Sequence, residues 1–397
     1  MNIDRVKIKN FKSLKDINIS LSNLTLITGV NSSGKSSFIQ TLLLLKQNQD
    51  NIKKDLMKFL LEHLLKKHKK DFLNESILAE DGTAFILNGN YIELGDKSDI
   101  LYEESSYTDD IIIIEISNEK INLEVHFNEK LGVKYNSRDA SPNDIFNINL
   151  NANLFLDDMQ YICTDRISPM RTYPLSDINI KNNLIGFRGE YTAHFLAEYK
   201  NENIFIQELK HPSSITNQYL ENTSLWLNEI SQNIDIYSTV NPTQQNVLLE
   251  YSYKYKDGRT AKYSPLNIGF GITYVLPIIV SILKAKEGDL VIIENPESHL
   301  HPAGQSKIAE LCAIASANGV QIIIETHSDH FLNGIRVATK KGLLMPEQSK
   351  VYYFRKEKDK LETIIDEINI DGDGGIDRYP KGFFDQFDDD LDELLGL

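Results

Sequence analysis

Residues 29–36 read GVNSSGKS, a match to the spacing GxxxxGK[ST], and each residue type in it answers to a phosphate. Gly29 and Gly34 let the backbone curl so that successive N–H groups face phosphate oxygens. A helix starting at the end of the loop adds favourable partial positive charge. Lys35 reaches the β- and γ-phosphates of a nucleoside triphosphate, and the Ser36 hydroxyl is placed to ligate Mg²⁺. Asn31, Ser32, Ser33 and Ser37 complete the loop and its flank. Three further stretches carry candidate chemistry. LVIIENPE, at 290–297, is an apolar strand ending in carboxylates, and Glu294 stands where a second Mg²⁺ contact belongs. ETHSDHF, at 325–331, follows the next apolar strand and puts His327 within reach of a γ-phosphate. LNIGFGIT, at 266–273, is a Gly-x-Gly turn before a helix, which presents N–H groups to an anion or simply serves packing. His299, His301, His327 and His330 invite a metal reading, but no cysteine or tight ligand spacing supports zinc.

These residues need elements to position them. Val6 and Ile8, then Ile17, Ile19 and Leu21, then Leu24 and Leu26, alternate as strands ahead of the glycine loop. FIQTLLLLKQ continues from it as a helix, and 52–73 keep helical spacing through Ile52, Leu56, Phe59, Leu60, Leu64 and Leu65. Short β-like runs over 84–135, separated by Asn, Asp and Gly, predict antiparallel hairpins. Residues 195–245 read as mostly helical and polar, and 246–263 as a hairpin turning at Asp257-Gly258. From 266 the pattern becomes α/β: buried strands at 290–293 and 321–324 alternate with helices, one opened by Pro302 and one over 328–340. Continuous apolar strands alternating with helices indicate a parallel sheet covered on both faces.

Composition narrows the class. The chain has 397 residues, a net charge of −15 and 41% hydrophobic residues, enough to bury a sizeable core. Cys163 and Cys312 are far apart and fit a reduced, cytoplasmic setting. The opening MNIDRVKIKNFKSLKD has no apolar run of signal-peptide length, and no stretch is long enough to span a membrane. The acidic balance argues against a broad nucleic-acid-coating surface. Lys53, Lys54, Lys58, Lys66, Lys67, Lys69 and Lys70 form one local basic stretch, read first as a solvated helix face and second as a nucleic-acid contact.

The order NFKSL, GVNSSGKSS, NIGFGIT, LVIIENPESHLHP and IETHSDHFLNGIR resembles the ABC-type ATPase head of SMC, RecF and OLD proteins. More closely, it resembles the compact prokaryotic ATPases of anti-phage systems such as the Septu ATPase subunit. YICTDRISPMRTYP (161–174), GFRGEYTAHFLA (186–197) and IDRYPKGFFDQ (376–386) carry the same likeness. The resemblance implies an α/β P-loop NTPase with an antiparallel β-subdomain and a helical insertion. Its expected divisions are a first lobe over 1–197, the insertion over 198–245, and a second lobe with an acidic extension over 246–397. It further implies that Gly29 to Ser37 form Walker A and that Asn267, Gly269 and Gly271 stand in for the signature, facing a γ-phosphate held by a second copy. Glu294 takes the Walker B position, Ser298 to Pro302 the D-loop, and His327 the switch. The Q-loop is open between Gln40 and the segment 87–95.

Two positions depart from the ABC pattern. Asn295 stands where the catalytic glutamate is expected, and an amide cannot act as a general base; Glu297 is the nearest substitute. Tyr274 stands where a glutamine is expected. The implied activity is slow ATP hydrolysis with head-to-tail dimerisation around Mg-ATP, gating a separate effector such as a nuclease in anti-phage defence. The alternatives are a RecF-like DNA-binding or repair ATPase and a non-hydrolysing ATP-dependent scaffold. A nuclease in its own right is disfavoured, since about 70 residues after His327 are short for a Toprim domain. Asp371-Gly372-Asp373 is read as a polar turn.

Overall fold

The computed structural model describes residues 1–66, 84–103, 111–127, 131–137, 152–357 and 360–395. The chain opens with β1 (Arg5–Phe11), β2 (Leu14–Ser20), β3 (Leu24–Gly29), α1 (Lys35–Gln47), α2 (Gln49–Lys66) and α3 (Lys97–Ile100). Then come β4 (Ile112–Ser117), β5 (Ile121–Phe127), β6 (Leu131–Ser137), β7 (Gln160–Ile162), α4 (Asp177–Lys181), α5 (Thr192–Tyr199) and α6 (Tyr219–Asn228). β8 (Ile234–Asn241), β9 (Asn246–Tyr255), β10 (Gly258–Arg259), α7 (Phe270–Leu283), β11 (Leu290–Glu294) and α8 (Pro302–Ala317) follow. The chain closes with β12 (Gln321–Glu325), α9 (Asp329–Lys340), β13 (Ser349–Lys356), β14 (Thr363–Ile368) and α10 (Gln386–Leu395).

These elements form two compact units. The first comprises Met1–Ser22, Val30–Leu156 and Phe354–Asp366, the second Asn23–Gly29, Asp157–Tyr353 and Glu367–Leu397. In the first unit, β2-β1-β4-β5-β6 form an antiparallel sheet, as the Asn- and Asp-separated hairpin pattern predicts. Its alternation buries Val6 and Ile8 of β1 with Ile112, Ile114 and Ile116 of β4, the pleat sending one face inward. Helix α1 is buried on nearly every side through Phe38, Ile39 and Leu42 to Leu45, as a core helix must be when its sequence is apolar all round.

In the second unit the strand order is β13-β3-β12-β11-β7. β3, β12, β11 and β7 are mutually parallel neighbours. Ile322 to Ile324 and Val291 to Ile293 are each at most 1% exposed, consistent with helices on both faces. The register pairs Glu294 with Glu325 and Glu325 with Ile27, so β11 and β12 end level and β3 runs two residues further at the same end of the sheet. That end is where an open parallel sheet presents its ligand-binding loops.

The segment 198–245 departs from the predicted helical insertion. It holds α6, one 3₁₀ turn (Gln207–Leu209), and strand β8 paired antiparallel with β9. Ile234, Ile236 and Ser238 point inward and alternate with half-buried Asp235 and Tyr237, a period-two pattern inside otherwise polar sequence. The principal hairpin therefore turns between Asn241 and Asn246, and the Asp257-Gly258 turn closes only the two-residue β10. Asp371 forms the polar turn, its carboxylate accepting from Asp373 N at 2.9 Å and Gly375 N at 2.8 Å. No helix among the described residues is long and apolar enough to cross a membrane.

Candidate functional site

In the first unit the glycine loop has the backbone its sequence demands. Gly34 has φ 99° and Ser32 φ 60°, and α1 begins at the next residue, Lys35, with no acidic side chain in its first turn. A Cβ at Gly34 would lie 2.6 Å from Thr363 Oγ1 and 2.9 Å from Ser13 Oγ, so only glycine fits both the conformation and the space. Lys35 is buried and its Nζ donates to Val30 O at 2.8 Å, curled over the loop. Asn31, Ser32 and Ser36 are exposed, Ser37 is half-buried, and Ser33 is buried.

The loop is braced from behind. Thr363 Oγ1 donates to Ser33 O at 2.9 Å and lies 2.8 Å from Ser13 Oγ, while Thr363 N donates to Ser13 O at 2.9 Å. Ser13 belongs to the NFKSL segment, which thereby acquires a physical role. Gln40 accepts from Lys12 Nζ at 2.8 Å, and burial lowers the Lys12 pKa. The other Q-loop candidate, 87–95, is tied at Tyr91 N and Ile92 N to the Gln47 carboxamide oxygen. Lys53 is half-buried while Lys54 and Lys58 are exposed on α2; the Lys66 side chain and all of Lys67, Lys69 and Lys70 lie outside the described residues.

In the second unit Glu294 ends β11 half-buried and held by its neighbours. Tyr161 OH donates to its Oε1 at 3.1 Å; Thr164 N and Oγ1 approach Oε2 at 3.2 and 3.0 Å. Burial, and next the Glu294 charge, push the Tyr161 phenol pKa up, which keeps it a donor. The same two causes push the Cys163 thiol to about 11, so it stays protonated near neutrality. Asn295 adopts φ 45°, a left-handed conformation that asparagine tolerates. Its N–H donates to Glu325 O at 2.8 Å, locking the end of β11 to that of β12.

Glu297 faces the loop after β12: its Oε2 accepts from Thr326 Oγ1 at 2.7 Å and its Oε1 from His327 N at 2.8 Å. His327 itself is exposed. The signature-like turn is exposed at Asn267 and Gly269, and Gly269 is the N-cap of α7. A Cβ at Gly271 would lie 2.3 Å from His299 O, so this glycine permits close contact between α7 and the loop after β11. The histidines do not gather. His301 caps α8 by accepting from Ala303 N at 3.3 Å, His299 packs edge-on to Phe270 and Tyr274, and His330 stands beside Asp329. Among the described residues no group of three or more His, Cys, Asp or Glu could hold a metal ion.

Tyr274, which stands where the ABC pattern has a glutamine, is buried. Its hydroxyl donates to Thr164 O and accepts from Arg166 N at 3.2 Å. Sequence reasoning assigned no role to Tyr161, Thr164 and Arg166, although they lie in the segment 161–174 that carries the family likeness.

The class these features define is a P-loop ATPase with an SMC-head-like fold. The chain belongs to the AAA ATPase domain family, whose model matches residues 1–332. Residues 344–394 match a further family described only as a protein of unknown function, DUF3696. The structure is similar to an SMC head bound to the C-winged helix domain of ScpA. That match has TM-score 0.50 and 14% identity, covering 93% of this chain and 98% of that one. Likeness also extends to the SMC head domain from Thermotoga maritima, with TM-score 0.42, 13% identity and coverage of 92% and 98%. A Pyrococcus furiosus Smc head domain with an extended coiled coil, bound to the C-terminal domain of ScpA, gives TM-score 0.44 and 14% identity over 99% of each chain. No curated protein matches the sequence.

Proposed function

We propose that the chain binds Mg-ATP, closes head to tail with a second copy around it, and hydrolyses it slowly. The observation that carries this reading is the loop at Gly34: a left-handed glycine with no room for a Cβ, opening α1 onto a curled-in lysine. The residues present suit the ligand. Backbone N–H groups and Lys35 match phosphate, and the Ser36 hydroxyl with the Glu294 carboxylate are the hard oxygen donors Mg²⁺ prefers. Bound Mg²⁺ would neutralise charge on the β- and γ-phosphates. Lys35 would hold the same phosphates, with Gly29, Asn31, Ser32, Ser33, Gly34 and Ser37 wrapping them. Asn267, Gly269 and Gly271 would offer the α7 N-terminus to a γ-phosphate held by the other copy, and His327 would contact its own γ-phosphate. Glu297 is the proposed base, with Asn295 orienting it.

The setting we favour is cytoplasmic anti-phage defence, with a separate effector such as a nuclease; it rests on resemblance to the compact ATPases. One observation favours a non-hydrolysing scaffold instead: both Glu297 oxygens already accept hydrogen bonds from Thr326 and His327, and residue 295 is an amide. A RecF-like DNA contact would rest on Lys53, Lys54 and Lys58 of α2. Titration calorimetry with ATP and Mg²⁺ tests the core reading. Lys35→Ala is expected to weaken ATP binding at least tenfold, about 1.4 kcal/mol or more, and unchanged affinity would defeat it.

A further inference from the structure

Arg166 is buried at 1% exposure, yet its hydrogen bonds go to main-chain carbonyls. Nη1 donates to Glu294 O at 2.8 Å and to Cys163 O at 3.3 Å; Nη2 donates to Asn295 O at 2.7 Å. The two arms of one planar fork thus grip successive carbonyls of the turn in which Asn295 takes its left-handed conformation. A guanidinium suits this task because its donors are fixed in a plane, whereas an ammonium offers a single point. The fork is itself held in place. Its carbon lies 4.4 Å from the centre of the Tyr274 ring, and the Tyr274 hydroxyl bonds both Arg166 N and Thr164 O. Thr164 in turn donates to the Glu294 carboxylate.

We propose that Arg166 is a positioning residue that aims the Glu294 carboxylate at the nucleotide's metal ion, with Tyr274 holding Arg166 and Thr164 in register. The inference deepens the Mg-ATP reading and rests on it. Desolvating an arginine is costly, and that cost is offset here by its bonds to the carbonyls of Cys163, Glu294 and Asn295. Here the charge is spent on two carbonyls flanking the one carboxylate at the end of β11. Every contact lies within the second unit, on residues contributed by β7, α7, β11 and the loops that follow them.

The test uses the full chain with Mn²⁺ as the metal probe. Electron paramagnetic resonance in the presence of ATP reads Mn²⁺ affinity, calorimetry in EDTA reads metal-free ATP affinity, and thermal unfolding reads the fold. Arg166→Met is expected to weaken Mn²⁺ binding at least tenfold while metal-free ATP affinity stays within twofold. Arg166→Lys, which keeps the charge but offers one point, should recover part of the loss. If Arg166→Met does not fold, Tyr274→Phe carries the same test, since it removes only the hydroxyl; a threefold or greater loss of Mn²⁺ affinity is expected. Unchanged Mn²⁺ affinity in a folded variant overturns the proposal, as does a loss of metal and ATP binding in equal proportion, the signature of a purely structural part. A wild type that binds no ATP would instead remove the nucleotide reading and this inference with it.

Discussion

Gly269 and Gly271 give opposite expectations for stability but the same expectation for assembly, which makes Gly269→Asp the most telling single substitution. Gly269 has φ −55° and ψ 130°, ordinary for any residue, and the nearest atom to an added Cβ is Ile272 Cδ1 at 3.9 Å. As the N-cap of α7, an aspartate there should leave the fold unharmed or stabilise it by a few tenths of a kcal/mol. Gly271 is different. Its Cβ would lie 2.3 Å from His299 O, and a backbone atom cannot step aside cheaply; overpacking of this kind costs about 1–3 kcal/mol. Loss of assembly in Gly271 variants would therefore be confounded with loss of fold. Gly269→Asp avoids this and places a full negative charge where the partner's γ-phosphate is proposed to sit. Two unit charges about 5 Å apart repel by roughly 0.8 kcal/mol at bulk-water dielectric and about 3 kcal/mol at an effective dielectric of 20. A multiply charged phosphate should thus lose at least about tenfold in association. Sedimentation velocity with ATP and Mg²⁺ reads the association, calorimetry reads ATP binding by one copy, and melting reads the fold. The expected result is an unchanged melting temperature, retained ATP binding, and lost ATP-dependent assembly and turnover. A Gly269→Asp protein that assembles and turns over like wild type would show that the α7 N-terminus does not face a phosphate.

Four other substitutions probe separate parts. Gly34→Ala should abolish ATP binding and lower stability by about 1–3 kcal/mol, the usual cost of a strained left-handed residue, read by calorimetry and melting. Thr363→Val removes the hydroxyl behind Ser33 and should cost about 1 kcal/mol of stability and weaken ATP binding severalfold, with Thr363→Ser restoring both; equal ATP affinity in all three would make the brace irrelevant to the loop. Glu297→Gln should keep ATP binding but lower single-turnover hydrolysis by about a hundredfold and accumulate the ATP-bound dimer, whereas wild-type turnover would remove Glu297 as the base. Burial lowers the Lys284 pKa to about 8, against about 10.4 unfolded, so above pH 8 the Lys284 contribution to native stability rises by up to about 1.4 kcal/mol per pH unit until about pH 10.4; denaturant melts should show this contribution lost in Lys284→Met.

The parts legible in the sequence were those whose chemistry is local. Gly34, Lys35 and Ser36 are contiguous, and their placement follows from one turn and one helix start. The placement of Glu294 at the end of β11 and of His327 just after β12 was legible because unbroken apolar strands announce a parallel sheet. Strand β8 was missed because its alternation covers only Ile234 to Ser238 within a polar stretch that averages out as surface helix. Arg166 and Tyr274 were illegible for a different reason. Their partners are 128 and 110 positions away along the chain, respectively Glu294 O and Thr164 O, and no spacing rule links an arginine after one short strand to the carbonyls ending another. Tyr274 departs from the ABC pattern in sequence, and in the fold it is a buried strut.

The amide at position 295 makes sense once its neighbours are considered as acceptors and donors. The Thr164 hydroxyl, with a single proton, lies 3.0 Å from Glu294 Oε2 and 2.8 Å from Asn295 Oδ1. On its other side Asn295 Nδ2 points at Glu297 Oε1, at 3.5 Å. The carboxamide therefore presents an acceptor towards Thr164 and a donor towards Glu297, a combination no carboxylate offers. A glutamate here would bring a third negative charge near Glu294 and Glu297, and like charges so close favour protonation of one of them. It would also remove the donor facing Glu297 while leaving that residue's bonds to Thr326 and His327 in place. Asn295 is thus the neutral link in a polar chain running from Glu294 through Thr164 to Glu297 and on to the backbone of His327. A carboxylate at 295 would break that chain at its link to Glu297, so the amide is what keeps Glu294, Thr164 and Glu297 hydrogen-bonded in series.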